Sequence, residues 1–138
     1  MEGKELKYIG IVLLAIFFSG SAFASSECDN AQDQGTLNKC ADQDLIKADK
    51  KLNSLYQKLE RRLSDNNAKK LLTTSQRAWI KFRDAECDFS ASGTEGGTIQ
   101  PMIYATCRAI LTTDRSKQLS EYLKCEEGDL SCPQLSSD

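Results

Sequence analysis

Six cysteines and no histidine bound the chemistry open to this 138-residue chain. Without imidazole there is no Ser–His or Cys–His nucleophile, no histidine general base and no histidine-ligated metal. The cysteines stand at 28, 40, 87, 107, 125 and 132, and none forms the C-x-x-C pair of a zinc site. An even set of cysteines in a small exported chain reads instead as a disulfide framework. Spacing alone leaves the pairing open. Joining neighbours in sequence, Cys28–Cys40, Cys87–Cys107 and Cys125–Cys132, closes three local loops and is the expected arrangement. Carboxylate pairs occur at Asp42/Asp44 and Glu126/Glu127, but acid–base work needs two carboxylates facing a cleft, one with a raised pKa. These lie in polar stretches and read as solvated surface. The Ser90–Gly97 loop holds Gly93, Gly96 and Gly97 without either phosphate-cradling glycine spacing, so it reads as a connector. No catalytic residue, cofactor or metal is expected.

The more informative polar residues flank apolar stripes. Asp49 and Asn53, one helical turn apart, lie beside Leu52 and Tyr56. Gln76 and Arg83, two turns apart, lie beside Trp79, the single tryptophan. If these two segments pack antiparallel, Asp49 or Asn53 meets Arg83 or Gln76, and an Arg–carboxylate pair there would set their register. Glu86 sits near the apolar side of its segment and calls for a cation such as Arg108 or Arg115.

The elements that must position these residues are helical. At about 100° per residue, Leu71, Leu72, Ser75, Ala78, Trp79, Phe82 and Ala85 fall on one side of Leu71–Cys87. This stretch is expected to be the central helix, over Ala68–Phe89, with Trp79 and Phe82 in the core. Before it, Leu37 to Leu63 repeats apolar residues in steps of three and four, with Thr36 as the expected cap. Asn67 is the expected cap of the second helix. Pro101 suits the start of a third helix, which Gly128 would end. Thr112-Thr113-Asp114 prefer caps and turns, so a kink is expected there. Ser131–Asp138 is a short tail, tied back only by Cys132. The reading is all-α, a small disulfide-stapled bundle of three principal helices.

The first 24 residues stand apart. Tyr8–Phe18 is a short apolar run, followed by small residues and Ala22-Phe23-Ala24, the pattern of a secretory signal peptide cleaved after Ala24. The run falls short of the ~20 apolar residues that span a bilayer, so no stable membrane anchor is expected after cleavage. Residues 25–138 then form one domain, in the periplasm or secreted. The leader takes two charges of each sign with it and leaves the net charge at −2. That balance lacks the basic stripe that nucleic acid requires.

Several segments together resemble the LprI-like family of lysozyme inhibitors. They are Cys40; Asp49-x-x-Leu52-Asn53-x-x-Tyr56; Gln76-Arg77-x-Trp79-Ile80-x-Phe82-Arg83-Asp84-x-x-Cys87; Gly96-Gly97; and Cys107-x-x-x-x-Thr112-x-x-Arg115. The resemblance covers about residues 28–123. It implies an exported helical domain with disulfides, and a protein partner, lysozyme, held without catalysis. On this reading a rigid surface blocks the saccharide cleft of a peptidoglycan-cleaving enzyme. Glu95, Gly96 and Gly97 form the candidate contact loop, and Asp49, Asn53, Gln76, Arg83 and Arg115 are the family-motif polar residues. The alternative is an envelope or stress-related adaptor that binds another bacterial protein or a toxin.

Overall fold

A computed structural model describes residues 27–136. The expected signal peptide at 1–24 lies outside them. The architecture is helical: α1 (Gln34–Arg62), α2 (Asn66–Ala91), a single 3-10 turn (Ser92–Thr94) and α3 (Gln100–Tyr122). Among the described residues there is no strand, only an isolated bridge between Leu63 and Leu135. Nor is any helix among them long and apolar enough to cross a membrane.

Aspartates cap the first two helices, in place of the expected Thr36 and Asn67. The Asp33 carboxylate accepts from Thr36 N at 2.9 Å, and Asp65 accepts from Asn67 N and Ala68 N. Thr36 and Asn67 lie inside the first turns, where they donate backbone N–H groups that a cap must satisfy. Pro101 occupies the first turn of α3 as expected, where its missing N–H costs nothing.

The helices run up, down and up, so α1 and α3 are parallel and share the largest contact. Ala41 and Leu45 pack with Ala105 at one end. Leu52 and Leu59 pack with Leu119 at the other, with Leu72, Trp79 and Leu135 against them. Helix α2 runs antiparallel to both: Tyr56 Oη and Thr73 Oγ1 are 2.9 Å apart, and Cys87 is joined to Cys107.

Three expectations change here. First, α2 is not the central helix. Its inward line is Leu72, Gln76, Trp79, Arg83 and Cys87, turned about 120° from the stripe through Leu71, Ser75, Ala78, Phe82 and Ala85. Arg83 must reach across to α1 and Cys87 must meet Cys107, and these two residues fix the rotation. Phe82 is therefore 56 % exposed rather than core, and Leu71 is 61 % exposed. Trp79 is half-buried against the lower cluster. Second, α3 is continuous through Thr112–Asp114 and stops at Tyr122, before Gly128. Cys125 and Cys132 lie 5.9 Å apart at Cα, whereas a continuing helix would hold residues seven apart at roughly 10.5 Å. Third, the tail is tied by more than Cys132. Ser136 N donates to Arg62 O at 2.8 Å, Arg62 Nε donates to Ser136 O at 3.3 Å, and Leu135 covers the lower cluster.

Candidate functional site

A polar layer crosses the bundle between the two apolar clusters. Arg83 is its centre, only 5 % exposed. Its Nη1 donates to Asp49 Oδ1 on α1 and to Thr112 Oγ1 on α3, each at 3.1 Å. Its Nε donates to Asp84 Oδ1 at 2.9 Å, and its guanidinium lies over the Trp79 ring at 5.3 Å. A buried guanidinium is tolerated only when its donors are satisfied. Here two carboxylates neutralise it, a hydroxyl accepts from it and an aromatic face covers it. One residue thereby links all three helices.

Thr112 is fully buried, and its carbonyl accepts from Ser116 Oγ at 2.9 Å. With its hydroxyl turned to Arg83 rather than to its own backbone, the residue no longer breaks its helix, and the expected kink does not form. Arg108 extends the layer. Its Nε lies 3.1 Å from the same Asp84 oxygen, without the alignment of a hydrogen bond, and its guanidinium sits 5.3 Å from the Tyr104 ring centre. Arg115 Nε donates to Gln76 Oε1 at 3.1 Å and its Nη1 to Gln118 Oε1 at 3.0 Å. Burial draws the Arg115 guanidinium below the usual arginine range, partly opposed by Tyr122.

The structure thus brings Asp49, Arg83, Gln76 and Arg115 into two helix-bridging contacts. Asn53 is exposed and stays out of both. Glu86 is also exposed; Arg108 pairs with Asp84 and Arg115 with glutamines, so neither meets Glu86 as expected. Thr112 and Asp84 were not expected as partners, and Arg108 was expected to meet Glu86 rather than Asp84. The available signal was the C-x-x-x-x-T-x-x-R spacing, which puts Thr112 about one turn from both Arg108 and Arg115. The layer holds the three helices together.

The other candidate, the loop after α2, is held by hydrogen bonds at both ends. Glu95 N donates to Ser92 O at 3.3 Å, Gly97 N to Thr94 O at 2.9 Å, and Gly96 N to Gln100 Oε1 at 3.2 Å. Asn38 Nδ2 on α1 donates to Thr98 O at 3.0 Å, fixing the loop's far side. Cys87–Cys107 closes its root. Gly96 takes φ 75°, and a Cβ at Gly97 would lie 3.0 Å from Thr94 O, so both glycines are needed for this turn. Glu95, Gly96 and Gly97 are exposed at the end of the bundle. The three disulfides join Cys28 to Cys40, Cys87 to Cys107 and Cys125 to Cys132.

Comparison with known proteins follows the same residues. The family model described as "Lysozyme inhibitor LprI" matches residues 26–119, which take in α1, α2 and all but the last three residues of α3. A protein of Rhizobium meliloti (strain 1021), "Uncharacterized protein R02472", is 35 % identical over 113 residues, covering 73 % of this chain and 81 % of its own. "Uncharacterized protein YecT" of Escherichia coli (strain K12) is 27 % identical over 113 residues, covering 72 % and 70 %. No solved structure matches.

Proposed function

Because the chain belongs to the LprI lysozyme-inhibitor family, we propose that it is an exported inhibitor of a peptidoglycan-cleaving enzyme, with lysozyme as the reference target. The family match across all three helices is the observation that carries this reading. The arrangement of the chain supports it in two further ways. The polar layer and the disulfides hold a stiff scaffold, so that little conformational entropy is lost on binding. The loop around Glu95 is exposed, hydrogen-bonded in place and closed at its root by a disulfide, as a segment entering a cleft must be.

On this proposal inhibition is steric. The Ser92–Ile99 turn enters the saccharide cleft, and no bond is made or broken. Glu95 supplies a negative charge at the tip, which steers encounter with a basic enzyme and weakens as salt rises. The carboxylates that could suggest hydrolysis, Asp42, Asp44, Glu126 and Glu127, are exposed. The protein would act in the periplasm or outside the cell, after loss of residues 1–24.

The test is cell-wall clearing by several lysozymes in the presence of the purified, oxidised chain lacking its first 24 residues. At least one enzyme should be inhibited, with saturation near one inhibitor per enzyme. Unchanged clearing by every enzyme at large molar excess would contradict the proposal.

A further inference from the structure

The rotation of α2 that buries Arg83 and Cys87 leaves a second stripe facing solvent. Leu71, Ser75, Ala78, Phe82, Ala85 and Phe89 follow one another in steps of four and three, the spacing of a coiled-coil seam. All six are exposed, Phe89 by 76 % and Phe82 by 56 %. Among the described residues this face is left open to water, and large apolar side chains in water, here Leu71, Phe82 and Phe89, mark an interaction surface.

The charges beside the stripe identify what fits it. Arg77, Lys81, Asp84 and Asp88 lie along one flank, at steps of four, three and four. The flank is basic toward the start of α2 and acidic toward its end. This order is the reverse of the one that stabilises a lone helix, whose start favours acidic and whose end favours basic residues. Turned end for end, however, the sequence complements itself.

We propose that a second copy of this chain docks on the stripe, α2 against α2, antiparallel about a twofold axis. In one register the seam and the flank agree. Phe82 packs on Ala85 of the second copy, and Phe89 on Ala78 of the second copy. Each contact occurs twice, large against small, as close packing requires. The same register sets Lys81 beside Asp88 of the second copy, again twice. Lys81 and Asp88 are exposed and free to make these pairs, while Asp84 is held by Arg83 and Arg108. The next antiparallel register would place Lys81 against Lys81. A parallel pair would stack phenylalanine on phenylalanine, leave gaps at the alanines and align the two helix dipoles. Charge and shape therefore select the same arrangement.

A single helix pair buries less than the ~800 Å² per partner of a standard stable interface, so the association is reversible. It leaves the Ser92–Ile99 loops open at opposite ends of the pair, and it does not depend on the inhibitor reading.

Sedimentation velocity of the oxidised chain over a concentration series tests the proposal. The average mass should rise from one chain toward two. Lys81→Asp and Asp88→Lys should each raise the dissociation constant about tenfold, since each turns two attractive pairs into repulsive ones. The double variant Lys81→Asp/Asp88→Lys restores opposite charges and should return to within about threefold of the starting value. Helical circular dichroism should be the same in all four proteins, because both side chains are exposed. A chain that stays monomeric to the solubility limit would overturn the proposal. So would single reversals without effect, or a double variant no better than the singles. Protection of the stripe only after a muramidase is added to monomeric chain would assign the face to the enzyme, and would overturn it too.

Discussion

At Arg83 one side chain decides how three helices meet. Replacing it with alanine leaves Asp49, Asp84 and the buried Thr112 hydroxyl without their shared donor. Both carboxylate side chains are 39 % exposed, so water recovers part of the loss. Arg83→Ala should therefore cost about 2–4 kcal/mol in urea unfolding, below the upper range for a fully buried pair. Arg83→Lys should recover less than half, since an ammonium cannot present a planar fork to partners on three sides. Phe82 makes the opposite prediction. With its ring mostly in water, Phe82→Ser should change stability by no more than about 0.5 kcal/mol, where a core phenylalanine would cost several. The Asp49–Arg83 pair was legible as one of the pairings open to Asp49, Asn53, Gln76 and Arg83, because these residues border facing apolar stripes. Phe82 was not, because two overlapping stripes of α2 satisfy the helical period. Only the demands of Arg83 and Cys87 choose between them. Thr112 was misread as a helix breaker, because a local hydroxyl preference gives no sign of a distant guanidinium that overrides it.

At the scale of elements, caps and disulfides set the boundaries. Hydrogen bonds from Thr36 hold the Asp33 carboxyl below its ordinary value of 3.8. A carboxyl depressed in the fold stabilises it fully above the unfolded value, and that contribution fades as pH falls through the lower folded one. Carbon-detected titration should give Asp33 a midpoint under 3.8, and a midpoint at or above that would contradict the cap. Cys87–Cys107 closes a 20-residue separation and Cys125–Cys132 a 7-residue one. Loop entropy then makes the first worth about 3 kcal/mol and the second nearer 2. Replacing Cys87 and Cys107 with alanine should lower the thermal midpoint more than replacing Cys125 and Cys132; the reverse order in calorimetry would contradict this ranking. The helices themselves were readable from period, from Pro101 and from the polar break at Asp65–Asn67. Their ends were less so: Asp33 and Asp65 each precede a plausible neighbouring cap, and Gly128 suits a loop turn as well as a helix end. The docking of Leu135 and Ser136 onto the end of α1 has no periodic signature, since it depends on two residues meeting an edge more than 70 positions away.

At the scale of the whole molecule, the three parallel and antiparallel contacts make a brace with its ordered loop at one end. The bundle and its staples were legible because apolar period and cysteine count are properties of the chain alone. A contact surface is a property of two molecules, so neither apolar period nor cysteine count marks it, and the part given to the Glu95 loop rests on proposal. If rigidity of that loop matters, Gly96→Val should weaken inhibition well before it weakens the fold. Position 96 takes φ 75°, which a β-branched residue resists, yet no atom lies within 4 Å of the added Cβ. Equal loss of stability and inhibition would place the contact elsewhere. Competition with saccharide bears on the proposed occupation of a muramidase cleft without an intervening step. A fluorescent chitooligosaccharide bound to lysozyme should be displaced as the oxidised chain is added, with complete displacement at saturation. A ternary complex in which saccharide and protein remain bound together, or no displacement at any concentration, would contradict the account.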